Sequence, residues 1–316
     1  MVHSNATRQA TQHSSRRNFK NKFIYEEGAP RKLQTNTRLS KMEREKLSLR
    51  SSIHIMNKPK AVIVIQMRMG SKRLPGKALK LISGKKAIVT IIDRAKKAKE
   101  ASEIVIATSN KKKDDVLERI AKKSGIKCIR DHEEDLISRL SKVLAETNAD
   151  ALIRITGDSP LIDPKLLDEA VRIYQKQYKK IDVVTNCVPL TYPEGFSYEL
   201  FSRKAFQKLH KALRTNTERE SFAVYVAEEK KKFPRKYIKN KKDTSHIRLT
   251  MDYPEDLQLI RKVSNYFTKK KKKNFGLKEI EDLFEKNPKW TLLNNDRIDK
   301  GKYPFAVGED AKRKAR

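Results

Sequence analysis

The feature that most constrains this chain is an alternation. From Ala61 onward, short apolar runs rich in β-branched residues (Ala61-Val62-Ile63-Val64-Ile65, Glu103–Thr108, Ile126–Arg130, Ala151–Ile155) are separated by stretches whose apolar residues recur at helical spacing. The first, second and fourth runs lack the in/out alternation of a half-solvated strand and read as strands buried on both faces, and Ile126–Arg130 reads as a further strand. The spacers predict helices over Lys86–Ala98, Asp114–Lys123 and Glu133–Thr147, the second ended by Gly125. Strand–helix–strand succession demands right-handed crossovers and a mostly parallel sheet, with ligands gathered at the strands' carboxyl ends. Further along, the pattern predicts a helix over Lys165–Tyr178 and strands over Ile181–Cys187 and Phe196–Phe201. Helices over Lys204–Leu213 and Glu218–Glu229 precede a late strand, His246–Met251, and Pro254 then opens another helix. Leu277–Glu285 is a last amphipathic stretch.

The first run empties into a loop carrying Arg68, Gly70, Ser71, Lys72, Arg73, Pro75, Gly76 and Lys77. Glycines let backbone N–H groups approach a ligand, and fixed cations meet phosphate oxygens, so the loop reads as a phosphate cradle. It is not a Walker loop, because the GxxxxGK[ST] spacing is missing. Two aspartates stand out by position. Asp158 follows the fourth run and Asp252 follows the late strand, each two residues before a proline. Either alone reads equally as a helix N-cap. Their recurrence beside a cationic loop favours Mg²⁺, which accepts one or two carboxylates together with substrate phosphates. Arg68, Arg73 and Lys77 would then clamp the phosphates.

Charge narrows the partners less than its size suggests. The formal net charge is +34, from 73 Lys+Arg against 39 Asp+Glu. Such an excess favours polyanions, yet it is spread along the chain and is mostly lysine, as a solvated surface would be. Basic residues interleaved with aromatics, or a recognisable nucleic-acid module, are not found, so no nucleic-acid partner is expected. Cys128 and Cys187 have neither metal spacing nor a disulfide framework and read as small buried hydrophobes in a reducing compartment. The lack of a membrane-spanning run or signal-type leader predicts a cytoplasmic protein without a membrane partner. Residues 1–55 read as a disordered basic extension with one short helix around Ser40–Leu49, and Met56 as a candidate translation start. Residues 56–290 form the expected domain, and 291–316 a basic tail.

The stretch IQMRMGSKRLPGKALK resembles the signature of the sugar-acid cytidylyltransferases, (I/Q)-x-R-x-G-S-x-R-L-P-G-K-x-L. VIATSN, EEDLISRL, RITGDSPLIDP, TYPEG, ERE and HIRLTMDYPEDL resemble the same family in the same order, over about Met56 to Phe267. The nearest branch is the spore coat polysaccharide biosynthesis protein F group, with the acylneuraminate and 3-deoxy-manno-octulosonate enzymes as relatives. The resemblance implies a three-layer α/β/α, nucleotide-diphospho-sugar-transferase-like (Rossmann-like) fold and transfer of CMP from CTP to a sugar acid. It implies catalytic roles for Arg73, Lys77 and Asp158, and substrate contacts by Arg68, Gly70, Ser71, Arg73, Lys77, Arg139, Glu194 and Glu199. Asp158 and Asp252 would hold Mg²⁺, and Arg139 would sit near the base. A homodimer through a hairpin-like segment near Tyr192–Phe201 is also implied. Three residues depart from the pattern: Met67 where alanine is usual, Ser197 where the branch often has aspartate, and Ser221 where histidine is common. The last two bear on the acceptor side and leave an inactive relative as an alternative. A nucleotide-sugar-dependent glycosyltransferase is a further alternative, but it would carry a D-x-D triplet where this chain has Asp158-Ser159-Pro160.

Overall fold

The computed structural model describes residues 58–272 and 274–298. The extension over 1–55, its expected helix and Met56 lie outside the described residues, as does the tail beyond 298.

The alternation folds as the spacing requires. Strands β1 (Ala61–Gln66), β4 (Glu103–Ser109), β5 (Lys127–Asp131) and β6 (Ala151–Thr156) form the parallel half of a seven-stranded sheet of order β5-β4-β1-β6-β8-β7-β9. Between β1 and β4 stands a two-residue hairpin, β2 (Leu81–Ile82) and β3 (Lys85–Lys86), turned by Ser83 and Gly84 at positive φ. β7 (Val183–Thr185) and β8 (Glu199–Ser202) are antiparallel to each other, β8 is antiparallel to β6, and β9 (Arg235–Tyr237) runs parallel to β7 at the edge.

Helices cover both faces. Side chains alternate across a strand, so Ile63 and Ile65 of β1 join one apolar layer while Val62 and Val64 join the other. The first layer is roofed by α1 (Ala87–Ala95), α2 (Asp115–Lys123), α4 (Pro164–Lys176), α8 (Pro254–Lys269) and α9 (Leu277–Lys286). The second is roofed by α3 (Leu136–Thr147), α5 (Arg203–Ala212) and α7 (Phe222–Glu228), the last preceded by the single turn α6 (Asn216–Glu220). The three-layer, mostly parallel architecture is thus present. No helix among the described residues is long and apolar enough to cross a membrane.

The structure corrects several expectations. His246–Met251 is not a strand of the sheet: it is an extended segment making one isolated bridge, Glu194 with Arg248, and it lends Met251 N–H to the carbonyl of Asp158 at 2.8 Å. The helix expected over 218–229 breaks at Ser221. The hairpin-like segment Tyr192–Phe201 leads into β8, which pairs antiparallel with β7 inside the sheet, and Tyr192, Phe196 and Tyr198 are buried. Cys187 is buried as expected, whereas Cys128 is only half-buried. Residues 288–297, partly assigned to the tail, form 3-10 turns, and the buried Asn294 donates to Asp256 there, so the described fold runs on to Ile298.

Gly195 fixes the route of the chain beside the site. Its φ is +99°, and a Cβ there would stand 2.6 Å from the carbonyl oxygen of Leu249. Glu194 N–H donates to Ile247 and Leu249 N–H to Glu194 across this close approach. Gly195→Ala is therefore expected to destabilise the fold by about 1–3 kcal/mol, read by urea unfolding.

Candidate active site

The cationic loop is built before any ligand is considered. Gly76, at φ +65°, starts a 3-10 turn, Lys77–Leu79, that would strain any other residue there. Ser71 closes the preceding bend by accepting from Leu74 N–H at 3.4 Å. A buried carboxylate anchors the loop's entry: Asp114 accepts from Met69 N–H at 2.7 Å with one oxygen and from Thr108 Oγ1 and Ser109 Oγ, at 2.9 and 2.5 Å, with the other. Met67 is buried against Gly157, where a Cβ would meet its side chain at 2.5–2.8 Å. The bulky residue at the loop entrance is thus accommodated by the glycine that precedes Asp158.

The loop and the end of β6 enclose a cavity of about 410 Å³ over the carboxyl ends of β1 and β6. Arg68, Gly70, Ser71, Arg73, Lys77, Arg139, Asp158 and Asp252 all line it. Neither aspartate caps a helix: the N-caps of α4 and α8 are Asp163 and Tyr253. Instead, Lys77 Nζ lies 3.5 Å from Asp158 Oδ2 and 3.0 Å from Asp252 Oδ1. Arg73 reaches Asp252 Oδ2 at 2.9 Å and lies over the Tyr253 ring. Thr156 Oγ1 and Ser159 Oγ donate to Asp158 Oδ1 at 2.5 and 3.3 Å.

These contacts set the charges. Burial pushes the Asp158 carboxyl up, but the Lys77 ammonium and the hydroxyl of Thr156 outweigh it and hold the group below its ordinary value. Burial likewise works against charge on Lys77, and the two aspartates reverse that, raising it. Both stay ionised at neutral pH. Asp252 is positioned from behind by a buried network. Arg248 grips Asp256 with two bonds, at 2.9 and 3.0 Å, and Glu194 with a third at 2.7 Å. Asp256 in turn accepts the backbone N–H groups of Asp252 and Tyr253.

Arg139, which also lines the cavity, is buried and donates to the carbonyls of His132 and Glu133. Glu220 lies 3.3 Å from Arg68 and 3.9 Å from Arg139. Burial raises its pKa, against the pull of those arginines. Glu194 and Glu199 are not brought to the cavity wall. Glu194 is held by Arg248, and Glu199, buried on β8, pairs with Arg154, which also donates to Gln66 Oε1 at 3.0 Å.

The cytidylyltransferase family model matches residues 62–298, most of the chain. The chain belongs to the cytidylyltransferase family. A solved cytidylyltransferase from Leptospira borgpetersenii is 33% identical, with a TM-score of 0.71 over 78% of this chain and 99% of that one. The spore coat polysaccharide biosynthesis protein SpsF of Bacillus subtilis is 26% identical over 234 residues, covering 72% of this chain and 95% of that protein. The 3-deoxy-manno-octulosonate cytidylyltransferase of Geobacter sulfurreducens is 35% identical over a shorter stretch, 34% of this chain and 42% of that enzyme. In fold, the chain is also similar to CMP:2-keto-3-deoxy-manno-octonic acid synthetase complexed with CTP, with a TM-score of 0.51 over 66% of this chain and 99% of that one, at 21% identity.

Among cytidylyltransferase features, the motif carrying the loop was readable in sequence, but its supports were not. Asp114 read as the start of a helix, and Arg248 and Asp256 as one strand and one helix residue. Glu220 lay in the ERE motif without a role. Tertiary pairing of a charged residue leaves no periodic signal.

Two outcomes follow from the charge network. Asp256→Ala leaves Arg248 buried without its two-bond partner and is expected to cost about 3–5 kcal/mol in urea unfolding. Asp158 sits below its ordinary 3.8 in the fold. Its contribution is therefore fully present above that value and is lost as pH falls through the lower folded pKa. Asp158→Asn should flatten the stability profile below about pH 4 relative to wild type, measured by unfolding across a pH series.

Proposed function

We propose that this cytidylyltransferase activates a sugar acid by transferring CMP from CTP with release of pyrophosphate, in surface polysaccharide or glycan assembly. The observation that carries the reading is the meeting of one cationic loop and two distant aspartates in a single cavity, joined through Lys77. The similarity to SpsF and to the 3-deoxy-manno-octulosonate enzymes supports the acceptor class.

In this reading a sugar hydroxyl attacks the α-phosphorus, the new P–O bond forms as the bond to pyrophosphate breaks, and the hydroxyl proton passes to solvent. Arg73 and Lys77 place fixed positive charge where the departing pyrophosphate gathers negative charge, while Arg68 and the loop backbone orient the phosphates. Ser71 and Gly70 shape that backbone. Arg139 borders the cavity beside the β5–α3 connection, where it would meet the nucleoside. Glu194 and Glu199 act one step back, through Arg248 and Arg154.

The donor set suits a hard dication. Asp158 and Asp252 offer carboxylate oxygens, and the described residues contain no cluster of three His, Cys, Asp or Glu that would form a complete protein cage. Mg²⁺ commonly takes one or two carboxylates and completes its shell with phosphate oxygens and water. Held by Asp158 and Asp252, it would polarise the phosphate under attack. A carboxylate kept below its ordinary pKa is a weak base, so Asp158 fits cation holding better than proton abstraction.

Pyrophosphate release from each nucleoside triphosphate, with Mg²⁺ and a panel of ulosonic and nonulosonic acids, tests the reading. CTP with one of these acids is expected to turn over, and Arg73→Ala or Asp158→Asn should each reduce the rate by on the order of 10²-fold. Near-normal turnover in both variants would refute the assignment.

A further inference from the structure

Lys77 occupies an unusual place for a phosphate-binding lysine. Its ammonium sits between the carboxylates, 3.5 Å from Asp158 Oδ2 and 3.0 Å from Asp252 Oδ1. The side chain is only 15% exposed. The other oxygen of each carboxylate is engaged elsewhere: Asp158 Oδ1 by Thr156 and Ser159, Asp252 Oδ2 by Arg73. The pair of oxygens not engaged elsewhere, which would be free to hold a cation, is the pair that Lys77 holds.

We propose that Lys77 is a resident counter-ion that holds the place of the divalent cation until the nucleotide arrives, so that metal binding depends on nucleotide binding. The inference rests on the reading of Asp158 and Asp252 as cation ligands, and it adds an order of events to that reading.

The reasoning is electrostatic. Two carboxylates this close and this enclosed need a positive charge between them, since leaving both ionised and facing is costly. An ammonium and a dication cannot share that position, because at contact distance their repulsion exceeds what the carboxylates return. Free metal must therefore displace a buried, well-satisfied lysine. A nucleoside triphosphate changes the balance. Its phosphates offer Lys77 new anionic partners, and a four-carbon stem can turn from the aspartates to the loop side without moving the backbone. Two carboxylate oxygens would then be released together, and they could hold a cation that accompanies the phosphates. Linkage makes the effect mutual: whatever the nucleotide adds to metal affinity, the metal adds to nucleotide affinity.

The probe is Mn²⁺, its free concentration followed by electron paramagnetic resonance, with the full chain in the presence or absence of a CTP analogue bearing a methylene bridge between the α- and β-phosphates. Wild type should bind Mn²⁺ weakly alone and more tightly with the analogue. Lys77→Met and Lys77→Gln should bind nucleotide-free Mn²⁺ about tenfold or more tightly than wild type, and gain correspondingly less from the analogue. Unchanged or weaker nucleotide-free affinity in variants with wild-type circular dichroism overturns the proposal. A second measurement needs no variant. Acylation of Lys77 by a water-soluble succinimidyl ester, read by peptide mass spectrometry, should rise as Mn²⁺ saturates the protein and expels the ammonium; no rise at saturation also overturns it. The underlying reading is tested separately. If Mn²⁺ binding to the analogue-loaded protein is indifferent to Asp158→Asn and to Asp252→Asn, the cation site itself is wrong. If that binding depends on both aspartates but Lys77 variants leave nucleotide-free affinity unmoved, the site stands and the resident counter-ion falls.

Discussion

Two carboxylates held against one ammonium is the constraint from which the rest of the site follows. Asp158 and Asp252 are joined to Lys77 across sequence separations of 81 and 175 residues. Contacts this remote cannot be made by local structure; they need a sheet that fixes the end of β6 beside the end of β1, and a later segment laid against both. The parallel register supplies the first, pairing Gln66 with Thr156 at the last positions of the two strands. The bond from Met251 N–H to the Asp158 carbonyl supplies the second, tying one aspartate's backbone to the residue before the other. The charges are thus brought together by main-chain geometry, and the lysine then makes their proximity tolerable.

The supports are buried ion pairs, and their energetics explain why they come as networks. A lone buried charge is costly, and even a pair often only offsets its own desolvation. Arg248 avoids that penalty by satisfying Asp256 and Glu194 together, while Asp256 spends its remaining acceptor capacity on Asp252 N–H, Tyr253 N–H and Asn294. Asp114 solves the same problem by accepting from two backbone N–H groups and two hydroxyls. In each case the polar core does more than fill space. It fixes the backbone on which Asp252 or the loop residue Met69 stands.

How far the sequence showed this depends on where the information lies. The parallel half of the fold was legible because runs such as Ala61–Ile65 are too apolar to be anything but doubly covered strands. The late segment His246–Met251 misled for a physical reason: it is apolar and extended, yet its backbone pairs with Glu194 and Asp158 instead of with a full strand. β9 was missed because Arg235-Lys236-Tyr237 is a short, basic edge strand, which is how exposed edges are commonly kept from self-pairing. The loop and Asp158 were legible from position at a strand end, and Asp252 from standing, like Asp158, two residues before a proline, although the segment before it is no strand of the sheet. Glu194 and Glu199 came only from the family resemblance; buried arginines claim them, and no spacing in a single sequence reveals a partner from another element.

The same pairing governs how this protein meets a polyanion. Its large positive charge suggests simple attraction, yet most of the cavity's cations already face internal acids: Arg73 and Lys77 the aspartates, Arg68 and Arg139 the single Glu220. Many of the remaining lysines lie exposed in water, where screening over about 10 Å limits what they contribute at the site. A triphosphate entering the cavity therefore gains little from net charge. It must exchange partners with residues that are neutralised beforehand, and the gain comes from geometry: phosphate oxygens can take the loop's cations only if something else then satisfies the acids. Affinity is then set by a few exchangeable contacts and not by the charge of the whole molecule.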